Sequence, residues 1–141
     1  MKFISFNQNN IEKFGIIENN LITDLTGKIS GASNLRELIK IKKINEAKEY
    51  AKNNPGEIKQ EDIQYSPLIP NPGKIICVGL NYSEHVKETN RTVEENPVIF
   101  HRFPESQTAH LQSIQRPTVS ESLDFEGEMA VIMDEGGKHI K

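Results

Sequence analysis

The stretch LDFEGEMAVIMDEGG, Leu123 to Gly137, decides how this sequence is read. Its apolar spacing predicts a strand over LDFEGEMAVIM, running into a turn at Asp134–Gly137. On a strand, side chains two apart share a face. Asp124, Glu126, Glu128, Ala130 and Ile132 then lie on one face, and Phe125, Met129, Val131 and Met133 on the other. A fully solvated face does not usually turn apolar in this way, and burying two like charges is costly unless something compensates. A hard divalent cation would do so, because Mg²⁺, Mn²⁺ and Ca²⁺ prefer carboxylate oxygens. The same pattern also suits an edge strand whose exposed glutamates guard against aggregation. Spacing alone leaves both readings open.

Working back along the chain, KIICVGLNYSEHVKET reads as a short apolar strand over Ile75–Val78, a sharp exit at Gly79 and a short helix capped by Ser83. That helix carries Glu84, His85 and Glu88. His85 and Glu88 are three apart and so become neighbours on one helix face. A carboxylate beside an imidazole orients it and raises its basicity, as suits a general base; an ordinary surface pair has the same spacing. NPVIFHRF predicts another strand. Its Arg102 could grip a substrate carboxylate through two parallel hydrogen bonds, or form a surface ion pair. PESQTAHLQSIQRP reads as loop, and DEGGKHIK as the start of a hairpin.

The first half of the chain has a different character. MKFISF reads as a strand, and KFGIIENNLITDL as two β-rich runs around Glu18-Asn19-Asn20, since Asn tolerates the left-handed backbone of tight turns. SNLRELIKIKKINEAKEYAKN predicts helix, broken near Ile41, with Asn34 and Glu37 as a capping-box-like start. Leu35, Leu38 and Ile39 form one apolar stripe, and Ile44, Ala47 and Ala51 another. Asn53–Gly56 ends the helical region. SPLIPNPGK, Ser66 to Lys74, holds three prolines and a glycine and reads as a linker. The expected organisation is α+β: a small β/α subdomain over 1–66, then a second domain over 67–141.

Composition narrows the function. A chain of 141 residues, 35% hydrophobic, fits one compact domain or one domain with an appendage. The net charge of −3 argues against nonspecific nucleic-acid binding. The lysines between Lys40 and Lys52 alternate with Glu46 and Glu49, as on a solvated helix face. Asn-rich stretches such as NQNN, ENN and KNN read as compositional bias rather than function. Cys77 is the single cysteine, so no disulfide can form within the chain, and it sits in an apolar run as a small hydrophobe. No apolar run approaches the roughly 20 residues of a membrane span, and MKFISFNQNN lacks a signal-peptide core. A soluble cytoplasmic protein without membrane or nucleic-acid partners is expected.

The order of these motifs says more than any one of them. IICVGLNYSEHVKE, then NPVIFHRFPESQ, then RPTVSESLDFEGEMAVIM resembles the fumarylacetoacetate hydrolase family over roughly Ile75 to Lys141. The subdomain and linker before it resemble that family's N-terminal part more loosely. The resemblance implies a mixed-β roll and a metal-dependent hydrolase or lyase of 2-oxo acids or acylpyruvate-like dicarbonyls, acting by C–C hydrolysis, decarboxylation or isomerisation. It implies that Glu126 and Glu128 are metal ligands, Mg²⁺ first, with Mn²⁺ or Ca²⁺ as alternatives. It matches His85 and Glu88 to a catalytic dyad on a lid-like helix, and Arg102 and Ser106 to a substrate-lining loop for a small anionic oxo acid. A homodimer is implied by analogy. The family's third ligand, an aspartate on a later strand, and a lysine beyond it have no counterpart up to Lys141. The chain is therefore expected to be a truncated N-terminal portion of the fold, carrying only the first part of the roll. The alternative is a non-catalytic remnant lacking the third ligand. A binding module unrelated to the family would have to rest on the bland readings alone.

Overall fold

The computed structural model of the chain describes residues 1–88 and 96–140; of His85 only the backbone is described. The chain is mixed α+β and forms two compact units. One comprises Met1–Ile69 with the stretch from Thr108 onward, and the other Pro70–Gln107. The division falls inside the proline-rich segment Ser66–Lys74.

In the first unit, β1 (Lys2–Gln8), β2 (Ile11–Glu18) and β3 (Leu21–Asp24) form an antiparallel meander. After α1 (Leu35–Lys40) and α2 (Ile44–Asn53), two short strands, β4 (Ile58–Lys59) and β5 (Gln64–Tyr65), close the edges in the order β4-β3-β2-β1-β5. Both hairpin turns are Asn-Asn pairs in the left-handed region, with φ of 53° and 62° at Asn9 and Asn10 and of 51° and 64° at Asn19 and Asn20. Two-residue turns of this hand match the twist of the flanking strands. The NQNN stretch is thus structural, and not compositional bias. Gly15 is required by close approach: a Cβ there would sit 2.3 Å from the Thr23 carbonyl oxygen.

The sheet buries both faces. Phe14, Ile16 and Leu25 pack with Leu35 and Leu38 of α1 and Ala47 and Ala51 of α2, while Ile4, Phe6 and Ile22 pack with Ile17, Ile58, Ile63 and Tyr65. Asn34 caps α1, its side chain accepting from the Glu37 backbone N–H at 2.9 Å. The helix ends at Lys40, and Lys42, with φ of 59°, turns the chain into α2. This is the break expected near Ile41. The Lys13 ammonium lies 2.9 Å from Asp24, which also accepts from the Thr26 backbone N–H at 2.8 Å. Burial pushes the Asp24 carboxyl up, but the hydrogen bonds from Lys13 and from the Thr26 backbone and side chain outweigh it and hold the group below the usual carboxylate range.

The second unit holds β6 (Ile75–Gly79), α3 (Ser83–Glu88) and β7 (Val98–Arg102), with β6 and β7 paired antiparallel from Ile75 opposite Arg102 to Gly79 opposite Val98. These are the strand, helix and strand read from the sequence. Among the described residues the second sheet has these two strands alone.

The strand expected over Leu123–Met133 does not form, nor does a hairpin follow it. Alternation is a local signal, but a strand exists only through hydrogen bonds to a neighbour, and the described backbone offers this stretch none. Within the first unit, the stretch from Thr108 touches the first sheet: Ala109 is buried, the Gln112 side chain donates to the Tyr65 carbonyl at 3.1 Å, and His110 meets the Tyr65 ring edge-on at 5.1 Å. Among the described residues no helix is long and apolar enough to cross a membrane.

Candidate active site

Each candidate side chain has its own local setting. In the second unit, Gly79 ends β6 and the chain enters α3 four residues later. α3 has Glu84 in its first turn and ends at Glu88, with Val86 as its buried anchor. Glu88 is exposed; the His85 side chain lies outside the described residues, so the pair's geometry does too.

Arg102 closes β7 and is exposed. Immediately after it, Pro104–Ser106 form a single 3₁₀ turn. The Ser106 backbone N–H and hydroxyl both donate to the Phe103 carbonyl, at 3.0 and 2.7 Å. Those bonds hold the Ser106 side chain on the turn and leave its hydroxyl oxygen able to accept from a ligand. His101 meets Phe103 edge-on at 5.4 Å.

In the first unit, Glu126 and Glu128 lie on the unpaired stretch and both are exposed, as are Ala130 and Ile132 beyond them. The face on which buried carboxylates would have called for a cation is solvated here, as in the alternative reading of exposed glutamates, and desolvation makes no demand for a counter-charge. Among the described residues, no three His, Cys, Asp or Glu side chains come together to hold a metal. The donor chemistry of the two glutamates suits a hard cation; the number of donors does not close a site. A cavity of about 670 Å³ opens in the first unit beside β1, Tyr65 and His110, and no candidate residue lines it.

Comparison with known proteins bears on the motif-bearing half. Residues 74–141 match the family described as fumarylacetoacetate hydrolase, C-terminal. That segment is similar to the family's C-terminal domain. Among the chain's relatives is the mitochondrial oxaloacetate tautomerase Fahd2a of Rattus norvegicus, 42% identical over 84 residues, which are 60% of this chain and 27% of the relative. Its human counterpart FAHD2A is 35% identical over 82 residues, 58% of this chain and 26% of that protein. The Xenopus laevis fahd2 protein is 35% identical over 98 residues, 70% of this chain and 31% of its own length. The chain thus spans about a quarter to a third of the curated relatives it matches. In fold it is similar to a protein from Mycobacterium smegmatis assigned as HpcE, with a TM-score of 0.61 at 20% identity, covering 81% of this chain and 40% of that one. Every candidate residue, from His85 to Glu128, falls inside the matched segment 74–141.

Proposed function

We propose that this chain carries part of the active site of a fumarylacetoacetate hydrolase family enzyme acting on a small 2-oxo acid, with keto–enol tautomerisation of an oxaloacetate-like substrate as the leading reaction. The observation that carries this reading is the family match over 74–141, which contains all the residues it uses. The relatives described as oxaloacetate tautomerases favour isomerisation over C–C hydrolysis or decarboxylation.

In this reading Arg102 binds a substrate carboxylate in a two-pronged fashion and Ser106 orients it through its hydroxyl. His85 removes a proton from the carbon next to the oxo group. The C–H electron pair becomes the enol double bond, and the oxo oxygen takes up a proton in turn. Glu88 holds the imidazole in orientation and stabilises it when protonated. Glu126 and Glu128 are the residues that would hold a divalent cation, Mg²⁺ first, which would polarise the oxo oxygen. Water would fill the rest of the ion's shell.

A second reading rests on a specific observation. The exposed glutamates, without a third convergent ligand among the described residues, suit a family member that does not catalyse on its own. One assay separates the two. The chain is incubated with Mg²⁺ or Mn²⁺ and oxaloacetate, and enol–keto interconversion is followed. Catalysis above the buffer rate, lowered ~10²–10⁴-fold in His85→Ala, is the outcome expected of a working dyad. Turnover untouched by His85→Ala removes His85 from the mechanism. Absence of turnover in a chain that still binds the ion favours the second reading.

A further inference from the structure

We draw no further inference here: the strongest candidate, the exposed apolar surface on the two faces of the β6–β7 pair (Ile76, Val78, Val98, Ile99 and Phe100), carries nothing because the structure does not show what covers it.

Discussion

Phe14 and Phe125 sit on stretches with the same kind of alternating pattern, yet Phe14 is 1% exposed and Phe125 90%. The difference lies in what each stretch meets. β2 pairs on both sides, with β1 and β3, and its apolar face is covered by α1 and α2, all within 69 residues of sequence. The stretch Leu123–Met133 has no ladder, and Leu123, Met129, Val131 and Met133 are exposed with Phe125. β6 and β7 stand between these extremes: they pair with each other, but apolar side chains on both faces remain open. Strands apolar on both faces are those that larger sheets bury on both sides. The first sheet brings its own cover; among the described residues, the motif-bearing strands do not.

The comparison can be broken most directly by truncating the two phenylalanines. Phe14→Ala should lower the stability of the first unit by about 3–5 kcal/mol, the usual range for emptying a packed aromatic site. Phe125→Ala should change it by less than about 0.5 kcal/mol, as for an exposed position. Urea midpoints followed by circular dichroism measure both, and equal losses would place Phe125 in a core. A smaller effect is expected at Gly15. Its Cβ would press on the Thr23 carbonyl, so Gly15→Ala should cost about 1–3 kcal/mol, on the scale of overpacking.

The Lys13–Asp24 pair sharpens the contrast through pH. The Asp24 carboxyl titrates lower in the folded state than in the unfolded chain, where it has its ordinary value of 3.8. The unfolded state therefore binds the proton more readily, and stability rises with pH through this window. The contribution is fully present above the unfolded value and is lost as pH falls towards and below the folded one. Asp24→Asn should cost about 1 kcal/mol at neutral pH, the scale of a hydrogen-bonded partner lost, and should flatten the acid limb of the stability curve. An acid limb unchanged by Asp24→Asn would assign it to other carboxylates.

Much of the first unit was legible in the sequence because its signals are local. The Asn19–Asn20 turn, the Asn34 cap and the break after Lys40 each depend on residues within one turn of each other. β4 and β5 were not legible: two residues each, they exist because β3 and β1 offer edges to pair with. The docking of Ala109 and Gln112 onto the first sheet is equally non-local, joining residues 47 apart at Gln112 and Tyr65. For the candidate site, spacing and motif identified residue types, as at Arg102, which ends β7, and Ser106, which ends the 3₁₀ turn after it. Convergence was not legible, since whether Glu126 and Glu128 meet other ligands depends on which strands pair with theirs. The expected strand there failed for the same reason.

We propose that Glu126 and Glu128, exposed on an unpaired stretch, together bind a divalent ion. Mn²⁺ titration of the chain, read by the loss of the free-ion paramagnetic resonance signal, tests it against the double variant Glu126→Gln, Glu128→Gln. Weak binding by the parent chain is expected, because two carboxylates leave most of the ion's shell to water, with loss of that binding in the double variant. Equal binding by both chains, or none by either, would contradict it.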